Sequence, residues 1–170
     1  MDSAARIAVV GVGNEYRRDD GVGCAVVAGL AALGAHGGLP GGPDLLLCDG
    51  DPARLIAFWE GADLAVVVDA AHARPSRPGR VHRLEVSGGR LHSEHPTSSH
   101  GLGLGDAVEL ARELDRLPRR LVVYAVEGAD CSLGRGLSAP VRAAVAPLVR
   151  RIADEVARYR RGAPDGSPGP

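Results

Sequence analysis

Four short, unbroken apolar runs set the limits on how this 170-residue chain can fold: Ile7–Val10, Leu45–Cys48, Leu64–Val68 and Leu121–Val126. A strand with one wet face alternates apolar and polar residues, whereas a strand covered on both faces does not. The runs therefore predict buried parallel strands. Helical patterns lie between them. Asp20–Leu33 carries Val22, Val26, Val27 and Leu30 at helical spacing, and Pro52–Trp59 follows Asp51, which suits an N-cap with proline in the first turn. Gly101–Leu114 places Leu104, Val108 and Leu110 on one side. Ala139–Tyr159 has Pro140 near its start, and Pro147 predicts a kink. Val81–Val86 alternates more and reads as an edge or less buried strand, and Phe58 with Trp59 reads as core. Strand–helix alternation of this kind predicts an α/β fold, a single three-layer domain with a mostly parallel twisted sheet flanked by helices. Residues 1–161 are assigned to that domain. Residues 162–170, built of Gly, Ala, Pro, Ser and one Asp, read as a disordered tail.

Charge excludes some partners. Twenty basic residues, all of them Arg, balance 21 acidic ones to a net charge of −1, so no global field draws the chain to nucleic acid or to an anionic membrane. With 24 Gly and 12 Pro, the Arg-only usage reads as compositional drift rather than as a recognition stripe. Cys24, Cys48 and Cys131 are odd in number and widely spaced, which suits a reducing cytosol better than a disulfide framework. No signal-peptide pattern opens the chain, and its longest apolar run is far too short to span a bilayer. These features predict a soluble, cytoplasmic protein.

The first strand runs into Gly11-Val12-Gly13-Asn14, and Asp19-Asp20-Gly21-Val22-Gly23 follows. A strand followed by Gly-x-Gly ordinarily offers backbone N–H groups to a phosphate at a helix start. Here Tyr16 stands where the third glycine of a dinucleotide fingerprint belongs, and two carboxylates open the helix. They repel a pyrophosphate and attract a cation, so the loop reads as a metal-ligand platform. In an open parallel sheet, ligands bind beyond the carboxyl ends of the strands. Asn14, Asp19 and Asp20 fall there after the first strand, Asp49 and Asp51 after the second, and Asp69 after the third.

Asp69 ends a buried strand directly, so its charge must be ligated, capped or paired with an Arg. His100 precedes a helical pattern and is either a hydrogen-bonded cap or a ligand; Thr97, Ser98 and Ser99 before it supply other caps. His36, His72, His82, His92 and His95 read as solvated, as do Arg17 and Arg18. Asn14 either orients a ligand or holds the turn. Two carboxylates and an imidazole form an O/O/N set that suits a divalent transition ion with open positions. No Ser/His/Asp set or activated Cys is evident.

Three motifs together resemble the hydrogenase maturation endopeptidases, the proteases that process the large subunit of nickel–iron hydrogenases. The first is Gly11-Val12-Gly13-Asn14 with Asp19-Asp20-Gly21-Val22-Gly23, similar to the family's N-terminal signature, whose second acidic residue is a metal ligand. The second, Val66-Val67-Val68-Asp69-Ala70, is similar to its apolar strand ending in a ligand Asp. The third, Ser99-His100-Gly101-Leu102-Gly103-Leu104, is similar to the segment carrying its ligand His. Leu133-Gly134-Arg135-Gly136-Leu137-Ser138 is a weaker match, to the start of the family's last helix. Asp49-Gly50-Asp51-Pro52 departs from the family's Asp-Gly-Gly-Thr-like turn. The fit runs from about residue 6 to residue 158.

The resemblance implies a single cut near the carboxyl end of a hydrogenase large-subunit precursor after nickel insertion. Asp20, Asp69 and His100 would be both the metal ligands and the catalytic set. Nickel would arrive on the precursor, leaving the isolated enzyme without tightly held metal. Two other readings stand beside it: a nickel-checking partner that binds the precursor without cutting, and a Rossmann-type nucleotide-dependent oxidoreductase.

Overall fold

β1 (Ile7–Val12) is buried at every position in the computed structural model, which describes residues 5–87, 90–93 and 102–162. β2 (Asp44–Cys48) lies on one side of it and β3 (Leu64–Ala71) on the other, both parallel. β6 (Arg120–Glu127) pairs parallel with β3; β4 (Val81–Ser87) runs antiparallel to β6, and β5 (Arg90–Ser93) antiparallel to β4. The order is β2-β1-β3-β6-β4-β5. Alternate residues of each strand feed opposite faces. One face packs Ile7, Val9, Val66, Val68, Val122 and Tyr124 against α1 (Val22–Ala35) and α4 (Ala139–Arg160). The other packs Val10, Ala65, Val67, Leu121 and Val123 against α2 (Pro52–Trp59) and α3 (Leu102–Glu113). This is the three-layer α/β arrangement that the apolar runs predict. Trp59 is fully buried, and no helix among the described residues is long and apolar enough to cross a membrane.

Several local expectations change. β2 reads as a buried strand, yet it forms the sheet's edge, and Leu47 is 50% exposed. A terminal strand has a neighbour on only one side, so fewer atoms cover it. β4 is the less buried strand its alternation predicts, but β5 lies outside it along Leu84–Ser87. The sequence signal for β5 is the Gly88-Gly89 pair, a hairpin dipeptide between the two strands. β4's polar positions are used internally. Arg83 bonds Glu155 of α4 at 2.6 Å, and Arg120 of β6 bonds Glu85 at 2.6 and 3.0 Å. In α3 the buried side is Leu104, Ala107 and Ala111, while Leu110 is exposed. A three–four spacing of small residues lets the helix sit close, which a search for large side chains overlooks. Pro147, where a kink is predicted, lies inside α4 and does not end it. Residues 163–170, assigned to a tail, lie outside the described set.

The glycines of the first motif serve helix–strand contact. A Cβ on Gly11 would sit 2.3 Å from the Gly23 carbonyl oxygen, and one on Gly23 would sit 2.6 Å from that of Val68. Both obstacles are backbone and cannot rotate away. Gly11→Ala is therefore expected to cost about 1–3 kcal/mol or more, read as a lower urea midpoint at unchanged slope.

Candidate functional site

From β1 the chain crosses to β2 on one side, and from β2 it returns past β1 to β3 on the other, so the switch point at which parallel sheets form a ligand crevice lies at the carboxyl ends of β1 and β3. The loop after β1 and the end of β3 supply the two predicted carboxylates there. Asp20 lies in a 3-10 turn, Arg18–Gly21, just ahead of α1 and not inside the helix as its pattern suggests. One of its oxygens, Oδ2, accepts the Asn14 N–H at 2.9 Å. Asn14 in turn holds its own loop, its Oδ1 accepting the Tyr16 N–H at 2.9 Å. Asn14 therefore holds both the Asp20 carboxylate and its own turn.

Asp69 is half-buried near the end of β3. Burial is the main force on its carboxyl; the Ala70 N–H opposes it, and the negative charge of Asp20 adds to it, pushing the pKa up to about 7. The Asp20 charge thus lies close enough to Asp69 to disfavour its ionisation. The chemistry of this pair fits a cation, whose charge would reverse that penalty. His100 lies outside the described residues. Among the described residues no three His, Cys, Asp or Glu side chains gather as a metal set, so Asp20 and Asp69 stand as two donors.

The neighbouring acid has a different task. Asp19 is fully buried. Its Oδ2 accepts the N–H groups of Ala129 (2.8 Å) and Asp130 (3.1 Å) and the Ser138 hydroxyl (2.8 Å), while Oδ1 accepts the Ser138 N–H at 2.7 Å. Burial works against its charge, but these donors outweigh it and hold the carboxyl below the usual range. Asp19 thereby clamps the loop carrying Asp20 to the segment between β6 and α4. Arg18, held at φ 46 in the left-handed region, donates its N–H to the Gly134 carbonyl across the same seam. Ser138 is the N-cap residue of α4 yet makes no side-chain cap, since its hydroxyl goes to Asp19. The Asp19-Asp20 motif and the Gly136-Leu137-Ser138 motif are thus two halves of one structural unit.

Other expected groups resolve simply. Asp51 caps α2 as predicted, its Oδ1 accepting the Ala53 N–H at 3.0 Å, and Asp49 accepts the Asp51 N–H at 3.3 Å. The Cys24 thiol is pushed up by burial and by Glu15 and Asp20, the Cys131 thiol by burial and by Asp20 and Asp19. Neither has the lowered pKa of a thiolate nucleophile. A phosphate finds its donors already engaged, because the Gly13 N–H bonds the Cys48 carbonyl and the Asn14 N–H bonds Asp20. A Cβ at Gly13, where φ is 133, would lie 2.0 Å from the Asp20 carbonyl oxygen, so this glycine permits loop closure. The nucleotide reading has no site here.

His82 departs from its reading as a solvated residue. Its side chain is 11% exposed, and its Nε2 lies 2.6 Å from Oε1 of Glu127, itself buried at the end of β6. The available signal was Glu127, an acid closing an unbroken apolar strand just as Asp69 does. His36 and His72 are exposed as expected, and the side chains of His92 and His95 lie outside the described residues.

Comparison with known proteins agrees with this geometry. The family model described as hydrogenase maturation protease matches residues 45–155, a span that holds Asp69, His100 and Ser138 and begins after the Asp19-Asp20 loop. The hydrogenase 2 maturation protease of Escherichia coli K12 is 27% identical over 149 residues, covering 86% of this chain and 88% of its own. Among solved structures, the [NiFe] hydrogenase maturation protease HybD from Thermococcus kodakarensis is 25% identical with a TM-score of 0.65, covering 89% of this chain and 99% of that one. The maturating endopeptidase HybD from E. coli shares the fold at 23% identity, with a TM-score of 0.69 and coverage of 91% and 93%. A matched model spanning most of the chain, a relative aligned nearly end to end and a paired-carboxylate crevice at the sheet's switch point lead to one conclusion: the chain belongs to the hydrogenase maturation proteases, and it is an endopeptidase of that family.

Proposed function

We propose that this protease removes the C-terminal peptide of a nickel-loaded hydrogenase large-subunit precursor, and that Asp20, Asp69 and His100 recognise the nickel the precursor presents. The observation that carries the reading is the half-buried Asp69 carboxyl, whose ionisation is disfavoured first by burial and further by the charge of Asp20. Such a pair gains from a cation. Two carboxylates and one imidazole form a weak partial site, which binds best when the arriving ion brings further ligands from the precursor. Recognition then depends on metal loading by linkage, because a precursor without nickel lacks the shared ion and is poorly held. The names of the relatives, a hydrogenase 2 maturation protease and a [NiFe] hydrogenase maturation protease, support the same substrate class.

The test is incubation of nickel-loaded and nickel-free precursor with the wild-type protein and with Asp69→Ala, followed by mass spectrometry of the precursor's C-terminus. A shortened product is expected only from nickel-loaded precursor with the wild-type protein. Equal cleavage of both precursor forms, or equal cleavage by both enzymes, would reject the reading.

A further inference from the structure

Beside the Asp20 loop lies a cleft that nickel recognition leaves without a task. Its volume is about 430 Å³, within the range of about 300–1,000 Å³ that ligand sites occupy. Gly21, which follows Asp20 directly, lines it, and so does Cys24 one turn along α1. After burial, the charges of Glu15 and Asp20 push the Cys24 thiol up, so the Asp20 carboxylate lies within electrostatic range of this lining. Ala25 and Ala28 of α1 continue it, and Leu47 and Leu137 add larger apolar groups. Leu47 is half exposed on β2, which has a strand neighbour on one side only.

The rest of the lining comes from two loops stitched together. The Gly134 N–H bonds the Tyr16 carbonyl at 2.8 Å, and the Arg18 N–H bonds the Gly134 carbonyl at 3.0 Å. Arg135 lies over the Tyr16 ring, its guanidinium carbon 4.6 Å from the centroid, with Glu15 3.9 Å away. A smaller hollow of about 190 Å³ shares Arg18, Arg135, Gly136 and Leu137 with the cleft and adds Arg142 of α4. Three guanidiniums therefore gather around this segment against two carboxylates, since Asp130 lies 3.5 Å from Arg18 and Glu15 faces Arg135. Among the described residues Arg142 bonds only the neutral Leu137 carbonyl, at 2.9 Å. The lining is thus apolar along α1 and carries an uncompensated positive charge beside α4. Ala28, Leu47, Arg135 and Arg142 are all exposed, so a chain from outside can reach both parts.

We infer that this cleft seats the precursor segment that the protease removes, in extended form, with an apolar side chain over Ala25, Ala28 and Leu47 and an acidic side chain on Arg142. The inference rests on the protease reading above and adds the surface that holds the chain beyond the metal. Position and charge select this occupant. The body of the precursor is held at Asp20 by its metal, so the surface that begins at the next residue falls to the chain continuing past that metal toward its C-terminus. An extended segment presents successive side chains to different surroundings, which suits a cleft apolar in one part and basic in the other. A carboxylate supplies the charge that Arg142 lacks, in the charge-assisted bonding that guanidinium favours.

The experiment uses the full chain and nickel-loaded precursor, with the wild-type protein, Ala28→Phe, Arg142→Glu, Arg142→Lys and Asp69→Ala. Mass spectrometry of the precursor under single-turnover conditions follows the cut as enzyme concentration rises. Ala28→Phe fills the cleft from an exposed helix position, and Arg142→Glu reverses the uncompensated charge. Each is expected to raise the half-saturating concentration about tenfold while the rate at saturation stays within about twofold, and Arg142→Lys should remain within about threefold of the wild type in both. Precursor whose removed segment has its acidic residues changed to amides should show the same rise with the wild-type protein and no further rise with Arg142→Glu. Wild-type half-saturation in either Ala28→Phe or Arg142→Glu would overturn the inference alone. So would additive losses from enzyme and precursor, which place the acid elsewhere. A change of oligomeric state in Ala28→Phe by light scattering would overturn it too, assigning the cleft to a second copy of this chain. Failure of the wild type to cut, or full activity in Asp69→Ala, would overturn the function reading instead, and the former would take this inference with it.

Discussion

Asp69→Asn is expected to stabilise the isolated protein while abolishing processing of the precursor. In the folded chain burial and the Asp20 charge push the Asp69 pKa up to about 7, against about 3.9 for an ordinary aspartate. Between those values the folded state binds more protons than the unfolded one, so this residue makes stability fall as pH rises from about 4 to about 7. Above pH 7 the full penalty is present. Asn keeps the shape and cannot ionise. The variant should therefore match the wild type near pH 4 and exceed it at pH 8. After a discount for the partial exposure of Asp69, the gain is roughly 2 kcal/mol, or about 4–8 °C in melting temperature for a chain of this size. Thermal melts at the two pH values check it. A gain equal at both would refute ionisation as the cause. The cost falls on function, because a neutral amide removes one of two negative donors from the crevice. A gain in stability paired with lost activity is the pattern of a site whose groups are arranged for a ligand rather than for folding.

Asp19→Ala should do the reverse, destabilising the fold strongly, whereas its half-buried neighbour Asp20 contributes little to stability. The substitution strands the N–H groups of Ala129, Asp130 and Ser138, together with the Ser138 hydroxyl. A hydrogen bond to a charged group contributes about 1.5–3 kcal/mol; because the exposed Ala129 and Asp130 can turn to water, the total should reach about 3–5 kcal/mol rather than the full sum. Denaturant unfolding checks it, with Asp20→Ala as the comparison. Asp20 gives its carboxylate one backbone bond, from Asn14, and should cost under about 1.5 kcal/mol. Similar losses for the two variants would show that the clamp has been misassigned. Acid should weaken the clamp as well. The carboxyl of Asp19 is held below its usual range, so the stability it contributes is present above pH 4 and is lost as pH falls through its lowered pKa.

The two residues show how reading the chain and seeing it folded divide the work. Adjacent and chemically alike, they read as one acidic platform. In the fold Asp19 points into a seam with a segment more than 100 positions away, while Asp20 stays at the rim. Nothing local distinguishes them, because the distinction is made by donors at Ala129, Asp130 and Ser138. His82 and Glu127 give the same lesson across 45 positions. His82 stands in an alternating strand whose polar positions ordinarily face water, and only the pairing of β4 with β6 brings a buried carboxylate to its ring.

What could be read directly from the residues was whatever follows from short-range periodicity and local chemistry. Unbroken apolar runs identify strands covered on both faces, helical spacing identifies α1, and Asp51 before Pro52 marks the start of α2. Asp20 and Asp69 could be picked out as candidates in the same way, since each stands near the carboxyl end of a buried strand, where parallel sheets bind ligands. Strand order could not, and it decided the rest: Leu47 is exposed because β2 is terminal, β5 completes the opposite edge, and His82 meets Glu127 because β4 and β6 are neighbours. Periodicity is a property of a few consecutive residues, whereas a buried acid's role depends on which distant donors the packed chain delivers to it.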